Sequence, residues 1–400
     1  MKPYRFSTVV FSLICLAAGA AACAEGTEWE KVNAEAGTLY QNGQFDRGVV
    51  TARKAVELAE KSAGANHPNV ATSLNTLAAL YAAQGQFAQA ESVYNRSLTI
   101  REKTLGPNHP DVATSLGNIA ALYLAQGRYP QAALLQTRAL TIREKAFGPN
   151  HPDVAASLHD LATVYEVQGQ YAQSELLYKR SLAIREKALG LNHPEVATSL
   201  SDLGGLYYTR GKYMQADPLY RRALAIRERA FGPNHPEVAT SVNCLANLCY
   251  AQAQYAQAEP LYTRALVIRE KAFGPIHYDV ATSLHGLAAV YNAKGQYAQA
   301  EPLYKRSLAI REKALGANHP DVATSLNALA GLYLHTQADF TQAEQFYKRA
   351  LAIRETANGR DNPYVAEILN NLAILYRKTG RPEEAQKLED RAKAILAMKR

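Results

Sequence analysis

Cysteine, tryptophan and methionine are scarce in this chain of 400 residues, which contains 4 Cys, 1 Trp and 3 Met. Cys15 and Cys23 lie in an apolar N-terminal segment, whereas Cys244 and Cys249 lie five residues apart on a predicted helix. This spacing turns the last two side chains to different faces and puts their Cα atoms about 8 Å apart, too far for a disulfide. A disulfide framework is therefore excluded, and the fold must hold without one.

Charge of one sign is not concentrated anywhere in the sequence. The 44 Lys and Arg and the 36 Asp and Glu give a net charge of +8, and basic residues alternate with Glu in stretches such as LAIREKALG. Such mixing is typical of a solvated surface rather than of a nucleic-acid-binding face. We therefore expect no nucleic-acid partner.

The motifs of common enzymes are also absent. The sequence contains no Walker loop and no GxSxG, HExxH or CxxC pattern. His159 and Asp160 are adjacent, but neighbours on a helix point about 100° apart and do not form a catalytic pair. We therefore expect a protein that is not an enzyme, with no catalytic residues, no metal site and no cofactor.

The N-terminal residues have the pattern of a secretory signal peptide. MKPYR is a short basic region, the following apolar run ends in small residues, and Ala22-Cys23-Ala24 offers a cleavage site after Ala24. We expect residues 1–24 to be removed on export, so that the chain is periplasmic or secreted. Two alternatives stay open: a membrane anchor, for which the run is short, and lipidation of Cys23, for which the three preceding alanines are a weak signal.

The rest of the sequence repeats with a fixed period. A histidine recurs every 42 residues, at His67, His109, His151, His193, His235, His277 and His319. Asn362 continues the series displaced by one residue, because QADF at 337–340 is one residue longer than its counterparts. A fixed period in this range indicates an array of stacked repeats.

Each repeat contains two helical patterns. In the repeat 67–108, a first apolar stripe ends near Gly85, a second begins at Phe87, and Gly106 stops it. In the link NHPDV between repeats, proline suits a first helical turn, and the acidic residue is favourable at a helix N-terminus. We expect the histidine of this link to brace the turn by hydrogen bonding, not to bind metal or act in catalysis.

The repeat resembles the tetratricopeptide repeat (TPR), which has a large residue, a large–small pair and Tyr in its first helix, and small, aromatic and small residues in its second. The corresponding residues are Leu74, Leu77, Ala78, Tyr81, Ala90, Tyr94 and Ser97, with a further copy at Leu200, Leu203, Gly204, Tyr207, Ala216, Tyr220 and Ala223. The usual repeat has 34 residues. The longer form here, LYxRALxIREKxxGxxHPxVAxSL, is similar to the repeats of kinesin light chains and their bacterial relatives.

This resemblance implies an all-α, right-handed α-solenoid of stacked antiparallel helix pairs, with a concave groove that is lined by the first helices and binds peptides. Kinesin light chains join their motor chain through a coiled coil, which this sequence lacks, so we expect no motor-chain partner. We expect one solenoid over 27–400, of about nine helix pairs at 27–66, 67–108, 109–150, 151–192, 193–234, 235–276, 277–318, 319–361 and 362–400.

Directional reasoning assigns one series of first-helix side chains to the groove. Asn can bond an extended peptide backbone with both amide atoms, and Tyr adds contact area at little entropic cost. Few of these positions carry Lys or Arg, so capture of a terminal carboxylate is disfavoured. The residues expected to bind peptides or protein segments are Asn75, Leu124, His159, Ser201, Tyr208, Asn243, Asn247, Tyr250, His285, Asn292, Asn327, Leu334, Asn370 and Arg377.

Several positions depart from the repeat. Gln136 replaces the second-helix aromatic residue, Cys249 replaces the first-helix Tyr, and Ala253 replaces the turn Gly. A residue other than Gly in a left-handed turn costs about 1 kcal/mol, so these changes predict either neutral drift or a softened joint over 244–278. Three prolines lie so early in second helices that we expect the helices to continue past them: Pro218, Pro260 and Pro302.

Together these features predict a non-enzymatic interaction scaffold of the cell envelope. Its partners are expected to be proteins or peptides, with a membrane contact only through a lipidated Cys23. The sequence leaves two alternatives open: a lipid-anchored subunit of an envelope assembly or secretion complex, and an accessory subunit of an enzyme.

Overall fold

The computed structural model describes residues 27–336 and 339–397. The predicted signal segment, with Cys15 and Cys23, lies outside these residues. Within them all regular structure is α-helical and no strand occurs. The prediction of an all-α fold is confirmed.

The chain divides into two compact units, residues 1–210 and 211–400. The described part of the first unit contains α1 (Glu28–Gln41), α2 (Phe45–Ala63), α3 (Pro68–Ala83), α4 (Phe87–Leu105), α5 (Pro110–Ala125), α6 (Tyr129–Phe147), α7 (Pro152–Val167), α8 (Tyr171–Leu189) and α9 (Pro194–Thr209). The described part of the second unit contains α10 (Tyr213–Phe231), α11 (Pro236–Ala251), α12 (Tyr255–Phe273), α13 (Tyr278–Ala293), α14 (Tyr297–Leu315), α15 (Pro320–Thr336), α16 (Phe340–Asn358), α17 (Pro363–Lys378) and α18 (Pro382–Ala397).

Adjacent helices are paired inside each unit, as a solenoid requires. In the first unit α3 packs against α4, and α4 packs against α5; this order runs from α1 to α9. In the second unit the same order runs from α10 to α18. Pro218, Pro260 and Pro302 lie inside continuous helices, as predicted. None of the helices in the described residues is long and apolar enough to cross a membrane.

The links between repeats are built as the sequence predicts. Each of the seven repeated histidines is followed by a first helix, and its Nδ1 accepts a hydrogen bond from the backbone N–H two residues later, at 3.1–3.2 Å. Asn362 does the same with its side-chain oxygen, which accepts from Tyr364 N at 3.0 Å. The histidine therefore satisfies a donor that the first helical turn leaves unpaired, which confirms its bracing role.

The core repeats in the same way. Ala78 and Ala90 are fully buried in one cluster with the second-helix Tyr94, which is almost fully buried. Tyr304 is buried in the same way in the second unit, in a cluster with Ala300. Burying a large apolar side chain contributes about 1.5–3 kcal/mol, so a tyrosine repeated along the chain is a main source of stability. Cys244 and Cys249 both lie on α11 and form no disulfide.

Arginines of six second helices, all buried except the half-buried Arg143, join their helix to the following first helix. The guanidinium donates to a serine Oγ fourteen residues later, at 2.5–2.9 Å; we call this pairing the arginine clamp, and its pairs are Arg101–Ser115, Arg143–Ser157, Arg185–Ser199, Arg227–Ser241, Arg269–Ser283 and Arg311–Ser325. At the start of the first unit, Trp29 Nε1 donates to Ser73 Oγ instead, at 2.8 Å. A buried charge needs such partners, because an unpaired one is costly to desolvate.

Ala253 adopts the left-handed backbone conformation, with φ 57°, and is the one residue other than Gly to do so in the described ranges. The next repeat has Gly295 at this position, with φ 74°. The turns are otherwise alike: Ala253 N donates to Tyr250 O at 2.9 Å, and Gly295 N donates to Asn292 O at 3.1 Å. The predicted turn strain is therefore present at Ala253.

We expect Ala253→Gly to raise the free energy of unfolding by about 0.5–1 kcal/mol, because relief of left-handed strain exceeds the extra freedom of Gly in the unfolded chain. Gly295→Ala is the matched control and should lower it by a similar amount. Urea unfolding measures both variants. If both changes moved stability in the same direction, the turn would not be the cause.

Candidate functional site

The residues predicted to line the groove, which we call the first-helix face, differ in exposure. Four of them are buried: Leu124, Ser201, Asn243 and Leu334. Leu124 packs among Ala120, Ala132 and Val164, and Leu334 belongs to a core cluster around α15. These four side chains are buried inside the protein, and their contact with a ligand stays a prediction.

The other ten predicted residues retain some exposure. Eight are half-buried, and Asn370 and Arg377 are exposed. Arg377 is bound to Glu389 of the following helix, with Nη2 and Oε2 2.8 Å apart. The half-buried residues are Asn75, His159, Tyr208, Asn247, Tyr250, His285, Asn292 and Asn327.

In the first unit, His159 of α7 lies among polar side chains. The His159 ring lies edge-on to Tyr178, with ring centroids 5.4 Å apart, and its Nδ1 is 3.7 Å from Asp202 Oδ2. The Tyr178 hydroxyl donates to Glu166 at 3.2 Å and lies 2.9 Å from Thr163 Oγ1. Burial raises the pKa of Tyr178 well above its usual value, so this hydroxyl stays protonated and can donate.

Elsewhere on the face, asparagine side chains bond inward. The Asn75 amide, with its nitrogen toward Ser97 Oγ and its oxygen toward Arg101, makes bonds of 3.0 and 2.9 Å. In the second unit, Asn243 Oδ1 accepts from the clamp arginine Arg269 at 3.4 Å. The same residue type therefore supports the scaffold at some repeats, which the sequence pattern did not reveal.

His285 on α13 occupies the position that Asn243 has on α11. Its ring lies edge-on to Tyr304 at 5.2 Å, and its Nδ1 is buried with no hydrogen-bond partner among the described residues. Burial, together with the nearby Arg311 charge, lowers the pKa of His285 to about 3. The ring is therefore neutral at physiological pH and is not suited to general acid catalysis.

The end of the second unit carries a small amide network. Asn327 Nδ2 donates to Glu367 at 3.3 Å, and Asn371 Nδ2 donates to Asn327 Oδ1 at 3.1 Å. Asn370 is exposed beside them. Asn292 Oδ1, on α13, has no hydrogen-bond partner among the described residues.

Two features around the first-helix face are not predicted by the sequence: the clamp arginines and the unpaired oxygen of Gln136. The clamp arginines lie behind the face, although their repeated IRE context was visible in the sequence. Gln136 is 2% exposed, and its Oε1 lacks a hydrogen-bond partner among the described residues. The replacement of a repeated Tyr by Gln is visible in the sequence, but the lack of a hydrogen-bond partner for its oxygen among the described residues is visible only in the structure.

No group of three or more His, Cys, Asp or Glu side chains that could hold a metal ion occurs in the residues described. The first-helix face instead offers amide, phenol and imidazole groups on several first helices. This chemistry suits hydrogen bonding to a polar chain molecule.

The family model for the tetratricopeptide repeat matches almost the whole array, at 32–103, 75–145, 135–187, 153–229, 195–271, 237–312, 279–356 and 334–397. The chain belongs to the tetratricopeptide repeat family. A search of curated protein sequences finds no match.

Solved structures with similar folds include other helical-repeat proteins. The quorum sensor NprR from B. thuringiensis aligns with TM-score 0.63 and 11% identity, over 92% of this chain and 98% of that one. Aspartyl phosphate phosphatase F from Bacillus subtilis aligns with TM-score 0.59 and 14% identity, over 94% of this chain and 96% of that one. Kinesin-light-chain-like repeats from Podosopora anserina are 29% identical over 50% of this chain and 95% of that chain, with TM-score 0.44.

Proposed function

We propose that the protein is a non-enzymatic scaffold that binds peptide or protein segments along the first-helix face. Membership of the tetratricopeptide repeat family supports this proposal. So does the composition of the face, where half-buried amide and tyrosine side chains stand on helices fixed by buried cores. A rigid scaffold that carries polar anchors lowers the entropy lost on binding.

The observation that carries the proposal is the row of amide side chains on successive first helices of the second unit. Asn292 lies on α13, Asn327 on α15, and Asn370 and Asn371 on α17. Asn370 is exposed and Asn292 is half-buried, so each can offer amide atoms to a backbone N–H or C=O of an extended ligand.

We propose further that the protein works in the cell envelope after removal of residues 1–24. A lipid-anchored subunit of an envelope complex is the alternative, tethered at Cys23. Mass spectrometry of the mature N-terminus distinguishes the two. A chain that begins at Glu25 supports the free form, and a lipidated Cys23 supports the anchored form.

The binding proposal is tested with random peptides selected on the full chain. We expect Asn292→Ala combined with Asn370→Ala to weaken binding of peptides that contact the second unit about tenfold or more, because hydrogen bonds are lost. Tyr208→Ala should weaken binding of peptides that contact the first unit by a similar factor, because an aromatic contact is lost. Fluorescence polarisation measures the affinity.

The matched control changes exposed side chains of second helices. Leu134 and Leu176 are 71% and 68% exposed on α6 and α8. Their replacement by Ala should leave binding intact. Loss of binding in this control with retention in the face variants would move the site to the second helices and overturn the proposal.

A further inference from the structure

In the first unit, tyrosine hydroxyls tie first helices to the second helix before them. At the α4/α5 junction the Tyr123 hydroxyl donates to Glu91 at 2.8 Å. At the α8/α9 junction the Tyr207 hydroxyl donates to Glu175 at 2.9 Å. Each bond joins the last turns of a first helix to the start of the preceding second helix, so it holds two repeats together.

The α6/α7 junction cannot form this bond. Tyr165 of α7 holds the place of Tyr123, but Ala133 of α6 holds the place of the glutamate. An alanine side chain has no acceptor. The α2/α3 junction also lacks the glutamate, yet Arg53 donates to Tyr81 there at 2.6 Å. The α6/α7 junction therefore has no counterpart of a bond that the other three junctions possess.

The arginine clamp of the α6/α7 junction is also less supported than that of the α4/α5 junction. Arg101, the clamp arginine of α4, is bound by the Asn75 oxygen at 2.9 Å and is 7% exposed. Gly117 holds the place of Asn75 one repeat later and has no side chain that could reach Arg143. Arg143 is accordingly half-buried, so water competes for its guanidinium.

Two buried polar side chains at the α6/α7 junction gain water when it opens. Gln136 of α6 is 2% exposed, and its Oε1 has no partner among the described residues. Asp160 of α7 is 7% exposed, and burial raises its pKa although the Arg143 charge opposes this shift. Three repeats later the same two places hold Tyr262 and Gly286, which face each other across a junction. An unpaired acceptor and a desolvated carboxylate both make the closed junction less favourable.

We propose that the α6/α7 junction is a joint at which the first unit opens, with α6 moving away from α7 while both helices stay formed. Fewer hydrogen bonds hold it closed than hold the α4/α5 junction closed. Gly117 on α5 and His159 on α7 hold the same helix position on either side of the joint, so opening changes their spacing. The joint is a property of the fold, and its test needs no ligand.

Buried thiols placed at two equivalent junctions measure the opening. Val164 of α7 is 2% exposed and shares a cluster with Ala132 of α6. Leu122 of α5, one repeat earlier, is 3% exposed and shares a cluster with Ala90 of α4. In the full chain without denaturant, we expect a thiol reagent to label Val164→Cys about tenfold or more faster than Leu122→Cys. The larger truncation at Leu122 works against this difference.

The readout separates local opening from global unfolding. Mass spectrometry locates the label, so reaction at Cys244 and Cys249 does not interfere. Low concentrations of urea should accelerate labelling at position 164 only slightly, because opening one junction exposes little surface. Global unfolding exposes far more surface and depends steeply on urea.

Two variants restore missing bonds at the joint. Ala133→Glu supplies an acceptor for the Tyr165 hydroxyl, and Gly117→Asn supplies an amide for Arg143. Each, added to Val164→Cys, should slow labelling at position 164 about fivefold, the effect of one net hydrogen bond. Neither should slow labelling of Leu122→Cys to the same extent.

Gly117→Ala is the matched control for the amide. A methyl group at Gly117 would meet only Gln136 Oε1 within 4 Å, at 4.0 Å, so a side chain has room there. Alanine raises helix propensity without adding an amide. This control should slow labelling of Val164→Cys less than Gly117→Asn does.

Three results would overturn the joint. The first is equal labelling at positions 164 and 122. The second is labelling at position 164 that neither Ala133→Glu nor Gly117→Asn slows. The third is labelling at position 164 that depends on urea as steeply as global unfolding does.

Discussion

Gly286→Ala is expected to lower the free energy of unfolding by about 2 kcal/mol, although Ala is normally the better helix residue. A methyl group at Gly286 on α13 would overlap the Tyr262 ring of α12, with Cζ only 2.6 Å away. The ring cannot retreat easily, because it is buried and its hydroxyl donates to Asn247 Oδ1. Urea unfolding measures the change.

Gly331→Ala is the matched control in the same unit. Gly331 also lies in a first helix, but its added methyl group would stand 3.6 Å from the Tyr347 hydroxyl, an ordinary contact. We expect this variant to raise the free energy of unfolding by about 0.5–1 kcal/mol, because Ala has a higher helix propensity than Gly. Stabilisation by both variants would show that Tyr262 has room to move and would contradict the packing argument.

The second large effect is a loss of stability in acid. Burial lowers the pKa of His285 to about 3, whereas a histidine in the unfolded chain titrates near 6.5. Below pH 6.5 His285 binds a proton in the unfolded state but not in the folded state. The free energy of unfolding therefore falls as the pH falls toward 3. From pH 7 to pH 5 this group alone should remove about 2 kcal/mol. Burial also lowers the pKa of His319, with the same sign.

His285→Asn isolates this contribution. Asn occupies the equivalent position at Asn75, Asn243 and Asn327, so the replacement suits the repeat. We expect the variant to lose less stability than the parent between pH 7 and pH 5, by about 2 kcal/mol. An identical pH dependence in both proteins would assign the acid sensitivity to other groups.

The helices were predictable because their signals are local and repeated. The His-Pro start and the Gly stop each act within a few residues, so the period fixed where most helices begin and end. The first-helix stripe of Val70, Leu74 and Tyr81 was equally local. Such signals need no knowledge of distant parts of the chain.

The candidate site was only partly predictable, because exposure depends on neighbours in space. Leu124 and Leu334 share a helix position with the half-buried Tyr208 and Tyr250, yet they are buried by the residues around them. Asn243 was assigned to a ligand, but a clamp arginine reaches it. Periodicity defines a direction around a helix, whereas the partner in that direction comes from another helix.

The arginine clamp restricts how an array of this kind can grow or shrink. Each guanidinium finds its serine in the next repeat, as Arg269 finds Ser283, so insertion of a whole 42-residue repeat supplies one new donor and one new acceptor together. An insertion or deletion of any other length would separate the arginine from its serine and leave a buried charge without its hydrogen-bond partner. In the first repeat the donor to Ser73 is the neutral indole N–H of Trp29, so no buried arginine is needed there. Length can therefore change in whole repeats without separating a clamp arginine from its serine.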